Sequence, residues 1–483
     1  MELRDRVTRG VTWSIAEKIA SALLQMVVSI VVARMLSPQD FGTVAILVFF
    51  TAVATVVVDS GFSQTLIRKS NVCNDDFRSV FIFNITLAAV VYAALVVASP
   101  AVARFYELPI IGQLAPVMFL AIPLAALGAV QSAAMARDFR FAAISRINFI
   151  ASFVSGTVAV VMALFGAGVW SLVMQRVSQI GVRSLLMWRS SSWRGEGDIV
   201  LHRLRDMAPF SLRLMATDTV SALYANISQM FIGKIYSPTL LGYFNQGQKL
   251  KDLPVNALVQ SVQSVTYPAL SNIADNRAKF AESYRIVLLA TAAVVMPIMV
   301  GMIAVADDMF LVLLGEQWLP TVPYFQILTL GGVCYPLSMI ALNVLKVYSN
   351  GSIIIRLEVV KKAVMTLIFA ITIPLSAKAV AWGLTVMLFI ELIINIAASL
   401  RYVTLRFATI LGTLLPVCFV TVAMYLAVIA VKSLTADFAA PWRLMTDIAV
   451  GAIAYVGLAI LFRTEFFAIL SENTRRLFCS KSE

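Results

Sequence analysis

Residues 34–58 read RMLSPQDFGTVAILVFFTAVATVVV, a Ser-Pro turn followed by a charge-free apolar run over residues 41–58. As a helix this run is ~27 Å long, close to the ~30 Å hydrocarbon core of a bilayer. Similar runs recur along the whole chain, so we predict an all-α polytopic membrane protein with fourteen transmembrane helices. The predicted spans are 11–33, 41–58, 80–98, 110–134, 147–164, 169–187, 210–232, 240–270, 286–304, 324–345, 353–375, 379–398, 410–431 and 444–462.

The composition excludes most other classes of protein. Of the 483 residues, 60% are hydrophobic and only 13% are charged, whereas about a quarter of a soluble domain is charged. Neither a soluble fold nor a disordered chain has this balance. The one histidine, His202, and the four scattered cysteines offer no ligand cluster for zinc or haem and no histidine-based catalytic triad. We expect no cofactor and no metal.

The distribution of lysine and arginine predicts the orientation in the membrane. The net charge is +12, and if the N-terminus is cytoplasmic, nearly all basic residues fall in cytoplasmic segments, as the positive-inside rule requires. The segments on the other side carry only Arg34, Arg104, Lys234, Lys378, Lys432 and Arg443. We therefore predict that both termini are cytoplasmic.

An internal repeat predicts two similar halves. The frame Ser-Pro, three residues, Gly at 37–42 recurs 200 positions later at 237–242, and a base, Arg34 or Lys234, precedes each copy by three residues. We predict two parallel lobes of six helices around a central cavity, plus a C-terminal helix pair. The expected boundaries are 1–190 for the N-terminal lobe, 191–207 for a cytoplasmic linker, 208–402 for the C-terminal lobe and 403–483 for the last two spans and a cytoplasmic tail. Parallel repeats of this kind are typical of transporters that rock one lobe against the other.

The eighth span carries a stripe of polar residues. Their spacings of three and four place them on one helical face, and Lys249 lies ~14 Å from the start of the span. The stripe consists of Asn245, Lys249, Asp252, Asn256, Gln260 and Gln263, with Lys251 at its flank. Either Lys249 and Asp252 neutralise each other as an i,i+3 pair, or the stripe lines a solvated path. We favour the path, because polar groups inside a membrane are costly and usually functional.

Other ionisable residues lie within predicted spans. Lys18 and Asp218 are equivalent under the 200-residue offset, and either pair with each other or both contact a substrate. Gln175, Arg176, Gln179 and Arg183 step down the sixth span, and snorkelling of the arginines to the interface explains part of that set. Asp59 either caps its helix or has a function; Glu391 and Asp447 either carry a proton or bond a neighbouring helix. Arg356, Glu358, Lys361 and Lys362 form either an interfacial basic end or the mouth of a cationic cavity.

These residues give the candidate site. The expected substrate-binding residues are Lys18, Arg213, Asn245, Lys249, Lys251, Asp252, Asn256, Gln260 and Arg356. The coupling or gating candidates are Glu17, Asp59, Asp218 and Glu391. Because bases outnumber acids among them, the environment suits an anionic head group such as a pyrophosphate.

Three motifs carry a family resemblance. They are ARMLSPQDFG at 33–42, GKIYSPTLLGYFNQGQKLKDLPVNAL at 233–258 with YPALSNIAD at 267–275, and LLGEQWLPTVPYFQILTL at 313–330. The chain resembles the polysaccharide transporter branch of the multidrug/oligosaccharidyl-lipid/polysaccharide exporter superfamily, and most of all colanic-acid-type flippases. The resemblance extends over essentially the whole chain.

The resemblance implies a bacterial inner-membrane flippase rather than an enzyme. Such a protein moves an undecaprenyl-pyrophosphate-linked oligosaccharide between leaflets by alternating access, alongside a polysaccharide polymerase and other assembly proteins. Two alternatives stay open. A multidrug exporter of the same superfamily predicts an acid-dominated cavity, and a membrane polysaccharide polymerase or ligase predicts catalytic groups on a substantial outer loop.

The predicted topology can be tested by cysteine labelling in a variant whose native cysteines are replaced by serine. A cysteine beside Asp307 is expected to react with an impermeant maleimide added outside intact cells. A cysteine beside Arg194 is expected to react only after the membrane is permeabilised. The reverse pattern would contradict the orientation derived from the basic residues.

Overall fold

A computed structural model describes residues 20–21, 23–59, 61–349 and 351–462 of the chain, and these ranges contain helices and no β-strand. The helices are α1 (Leu23–Met35), α2 (Pro38–Asp59), α3 (Phe62–Arg68), α4 (Asn74–Tyr106), α5 (Ile110–Phe119), α6 (Ala121–Arg137), α7 (Phe141–Leu164), α8 (Trp170–Ser190), α9 (Leu201–Ile235), α10 (Pro238–Asn272), α11 (Arg277–Ala304), α12 (Ala306–Leu313), α13 (Val322–Gly332), α14 (Cys334–Tyr348), α15 (Ser352–Thr372), α16 (Ala377–Ser399), α17 (Phe407–Leu434) and α18 (Ala440–Leu461). A short 3₁₀ helix, Glu316–Thr321, precedes α13.

The all-α, multi-pass membrane architecture expected from the sequence is confirmed. Within the described ranges, nine helical segments are long and apolar enough to cross a bilayer. The predicted spans 169–187, 210–232, 240–270 and 353–375 also lie on helices, namely α8, α9, α10 and α15, although their polar residues make them less apolar. Residues 11–19 and residue 22 of the first predicted span lie outside the described residues, so the total of fourteen stays a prediction.

The chain forms two compact units, one ending at Asn245 and the other beginning at Gln246. In the first unit, α2 packs on α9, α4 packs on α5 and α6, and α8 packs on α6 and α7. In the second unit, α11 packs on α17, α14 on α16, and α17 on α18. A buried core in this second unit joins α11, α14, α16 and α17 through side chains such as Tyr284, Ile340 and Val417.

Two predicted spans are each broken into two helices for the same reason. Span 110–134 divides into α5 and α6, and span 324–345 divides into α13 and α14. In both, the first helix ends four residues before a proline: Phe119 before Pro123, and Gly332 before Pro336. Proline has no N–H to bond that carbonyl and its ring clashes with it. Both breaks occur in the fourth span of a predicted repeat, which agrees with two similar halves.

The repeated Ser-Pro motif builds the start of a helix in both copies. The hydroxyl of Ser37 accepts a hydrogen bond from the backbone N–H of Asp40 at 3.3 Å, and that of Ser237 accepts one from Leu240 at 3.1 Å. Each serine therefore caps a helix, and each proline takes the first helical position, where its missing N–H costs nothing.

The glycine of each motif allows the two copies to touch through their backbones. A Cβ atom on Gly42 would overlap the carbonyl oxygen of Pro238, and a Cβ on Gly242 would overlap that of Pro38. This reciprocal contact lies within the first unit, because the first turns of α10 belong to it. Only glycine permits so close an approach of two helices.

The segment after α8 is pinned to the start of α4. A guanidinium nitrogen of Arg78 donates to the Gly195 carbonyl at 2.5 Å, and the Ser79 hydroxyl accepts a hydrogen bond from the Val200 N–H at 2.8 Å. Trp188 and Trp193 pack against Phe81 in the same place. The end of α8 and the start of α4 therefore lie at the same end of the first unit.

The glycine contact predicts a large asymmetry between two alanine variants. Gly42→Ala should lower the free energy of unfolding by ~1–3 kcal/mol or more, because the opposing group is backbone and cannot rotate away. Gly412→Ala, on α17, is the control, since a Cβ there meets nothing within 4 Å and alanine favours a helix. Thermal unfolding of both variants in detergent tests this, and equal melting temperatures would refute the contact.

Candidate functional site

The first unit encloses a cavity of about 800 Å³. Its wall is built from α1, α2, α3, α4, α6, α7, α8 and α9, so the site depends on the packing of many helices. The polar and charged residues that line it include Gln25, Thr55, Asp59, Ser63, Asn84, Ser132, Asn148, Ser152, Arg176, Gln179, Arg183 and Asp218. This volume lies within the range of about 300–1,000 Å³ that is usual for small-molecule sites.

Two guanidinium groups on α8 line one wall of the cavity, which also contains Asp59 and Asp218. Arg176 and Arg183 are two turns apart on the same helical face, with Gln179 between them. Their side chains are exposed and line the cavity, so a ligand in the cavity can reach them. A planar guanidinium matches the oxygens of phosphate and carboxylate groups in a bidentate geometry.

Two glutamine amides and one serine hydroxyl link three helices of the cavity wall by hydrogen bonds. The side-chain amide of Gln25 on α1 donates to the hydroxyl of Ser152 on α7 at 3.1 Å. The amide of Gln179 on α8 donates to the same hydroxyl at 3.4 Å. These contacts fix the direction of Gln179 between the two arginines.

The two aspartates of the cavity already have neutral hydrogen-bond donors. The Ser63 hydroxyl donates to Asp59, the last residue of α2. The amide of Gln64 donates to Asp218 on α9 at 3.4 Å. The structure thus brings two of the predicted coupling candidates to one cavity, whereas their role in coupling stays a prediction.

The side chains of the predicted stripe on α10 are only partly buried. Lys249, Asn256 and Gln260 are exposed, while Asn245, Asp252 and Gln263 are half-buried. Asp252 forms its ion pair with Lys251 at 2.7 Å. Because Lys251 is buried, this ion pair neutralises the flanking lysine inside the protein. The binding role of the stripe stays a prediction.

The second unit contains a buried ion-pair group that we call the Lys361 cluster, formed by Lys361, Glu358 and Glu391. The Lys361 side chain is 5% exposed and its ammonium lies 3.2 Å from a carboxylate oxygen of Glu391 on α16. The same ammonium contacts Glu358 one turn earlier on α15. Glu391 therefore bonds a neighbouring helix, which was one of its two predicted roles; its role in coupling stays a prediction.

The remaining predicted residues are dispersed. Arg213 on α9 and Arg356 on α15 are exposed, and neither residue lines the cavity of the first unit. Glu17 and Lys18 lie outside the described residues. Asp447 is buried on α18.

Sequence reasoning left several cavity residues out of the candidate site. Snorkelling explains only part of the pattern of Arg176 and Arg183, and their i,i+7 spacing with a glutamine between them is the signal for a shared face. Asn84, Asn148 and Gln25 are amide residues in largely apolar helices. Nothing local marks such residues, because only tertiary packing decides whether they face the cavity or a neighbouring helix.

The sequence of the chain matches the family model described as "Polysaccharide biosynthesis protein" over residues 31–323. The chain belongs to this family. Among its relatives, the succinoglycan biosynthesis transport protein ExoT of Rhizobium meliloti is 25% identical over 69% of this chain and 67% of its own length. The teichuronic acid biosynthesis protein TuaB of Bacillus subtilis is 23% identical over 95% of this chain and 96% of its own.

The fold of this family member is that of a known flippase structure. The lipid II flippase MurJ, in an inward closed conformation, superposes with a TM-score of 0.71 over 94% of this chain and 99% of its own, at 17% identity. At this identity the likeness establishes the fold. The family match and the relatives confirm the resemblance to polysaccharide transporters that the sequence motifs indicated.

The Lys361 cluster predicts a stability cycle. Lys361→Met should cost about 3 kcal/mol of unfolding free energy, because it leaves the Glu391 carboxylate unpaired where that side chain is only 18% exposed. The double variant Lys361→Met/Glu391→Met should recover most of the loss, since Glu358 is 46% exposed and stays solvated. Thermal unfolding in detergent measures both. A single variant as stable as the double would show that the pair is not coupled.

Proposed function

We propose that this chain is a flippase that moves a lipid-linked oligosaccharide, carried on undecaprenyl pyrophosphate, from the cytoplasmic to the periplasmic leaflet for surface polysaccharide assembly. It would act by alternating access in the bacterial inner membrane, with both termini in the cytoplasm. The observation that carries the proposal is the cavity of about 800 Å³ in the first unit, lined by two exposed arginines, two half-buried aspartates and a set of amides and hydroxyls.

The chemistry of the cavity suits both parts of such a head group. Arg176 and Arg183 supply bidentate, charge-assisted hydrogen bonds for a diphosphate. Side chains such as Gln179, Asn148 and Ser132 supply neutral donors and acceptors for sugar hydroxyls. The polyprenyl tail can stay in the bilayer, because burying apolar chains in protein would gain nothing over lipid.

The names of the relatives support the same class of substrate. ExoT is named for succinoglycan transport, TuaB for teichuronic acid biosynthesis and MurJ for lipid II. We propose that this chain likewise handles a lipid-linked sugar and makes or breaks no covalent bond. A polysaccharide polymerase and other assembly proteins would be its partners, and the lobes would comprise residues 1–190 and 208–402, joined by 191–207 and followed by 403–483.

The cavity argues against the multidrug alternative. An exporter of cationic drugs needs acids as the dominant exposed charges of its cavity, whereas Asp59 and Asp218 are half-buried and each accepts a hydrogen bond from a neutral side chain. The arginine side chains are the exposed charges on the α8 wall.

The proposal predicts that transport depends on the two arginines of the cavity. Arg176→Ala and Arg183→Ala should each lower flipping of a polyprenyl-diphosphate-linked oligosaccharide in proteoliposomes by about 10- to 100-fold, the value of one charge-assisted hydrogen-bonding group. Lysine variants should retain part of the activity, since charge remains but the bidentate geometry is lost.

Arg189→Ala is the matched control, because Arg189 is an exposed arginine of the same helix outside the cavity. It should flip lipid at the wild-type rate. If all three alanine variants, inserted at equal levels, flip lipid equally well, the cavity of the first unit is not the head-group site.

A further inference from the structure

Asn84 differs from the other polar residues of the cavity. It lies on α4, its side chain is 0% exposed, and it lines the cavity wall. Neither its amide nitrogen nor its amide oxygen has a hydrogen-bond partner in the described part of the protein. A buried amide without partners carries a desolvation penalty that folding does not recover. Such a group persists more readily where a ligand completes its hydrogen bonds.

The position of Asn84 places it near Arg183, at one end of the pair of arginines. Phe81 on α4 packs against Trp188 on α8, which sets the relative depth of the two helices. Asn84 lies three residues beyond Phe81, or ~5 Å along the helix axis, and Arg183 lies five residues before Trp188, or ~8 Å. A diphosphate held between the two guanidiniums would therefore lie deeper than Asn84, and a sugar attached on its Arg183 side would come to the depth of Asn84.

We propose that Asn84 is a specificity-determining residue that recognises the first sugar attached to the diphosphate. An amide presents a donor and an acceptor side by side. It is complementary to a group that also has both, namely a hydroxyl or an acetamido group of a sugar. This assignment rests on the proposed function, and it adds that the protein distinguishes a sugar-bearing lipid from a bare polyprenyl diphosphate.

The chain offers a matched control for the same side-chain chemistry. Gln131 on α6 is also 0% exposed, and both of its amide atoms also have no partner in the described residues. Unlike Asn84, it is not part of the cavity wall. The two amides are therefore equally buried and both have no hydrogen-bond partner in the described residues, but only Asn84 lies on the cavity wall.

The test replaces each amide by leucine, in Asn84→Leu and Gln131→Leu of the full chain. Without ligand, both variants should melt at or above the wild-type temperature, because an apolar side chain of similar size removes an unpaired buried amide. Asn84→Leu should bind a polyprenyl-diphosphate-linked monosaccharide about tenfold more weakly, the loss expected for neutral hydrogen bonds to one group. It should bind bare polyprenyl diphosphate as the wild type does, and Gln131→Leu should bind both lipids normally.

Three results would overturn the assignment. If Asn84→Leu binds the sugar-bearing lipid with wild-type affinity, the residue does not contact it. If it weakens both lipids equally, Asn84 acts on the diphosphate. If it melts well below the wild type while Gln131→Leu does not, the amide is structural. A wild-type protein that binds neither lipid would refute the proposed function itself.

Discussion

A polar side chain at membrane depth cannot face acyl chains, and this constraint explains most of the structure. An ionised group facing the bilayer centre costs at least ~2.5–3.5 kcal/mol, so each one must meet protein or water. The described residues use both solutions. Arg176 and Arg183 face a water-accessible cavity, while Lys361 and Lys251 meet carboxylates inside the protein.

The two solutions give the two units different chemistry. In the second unit the buried lysines are paired with carboxylates: Lys361 with Glu358 on its own helix and with Glu391 on α16, and Lys251 with its neighbour Asp252. In the first unit the arginine side chains remain exposed to the cavity, where an anionic ligand can reach them. A charge that is neutralised within the fold is unavailable for binding, so the cavity arginines of the first unit are better candidates for the diphosphate than Lys251 and Lys361.

The helical framework has its own constraints, which act through the backbone. A helix ends four residues before Pro123 and another ends four residues before Pro336. Gly42 and Gly242 allow the two copies of the Ser-Pro motif to pack with the Cα of each glycine against a backbone carbonyl of the other copy. Both features recur at corresponding places in the two halves of the sequence. These backbone features are therefore common to the two halves of the sequence, whereas the polar residues differ between them.

The sequence alone determined the fold class and the positions of most helices, because apolar length and turn chemistry are local properties. It also predicted the repeat and its Ser-Pro helix starts, and the ionisable residues that membrane burial makes costly. It did not determine which of them share a site. Asp59 and Asp218 are 159 positions apart and line one cavity. Lys361 was expected at an interfacial basic end or at the mouth of a cationic cavity, but it is buried against Glu391. Only tertiary packing brings such groups together, because helical phase gives the face of one helix but not the neighbour that the face will meet.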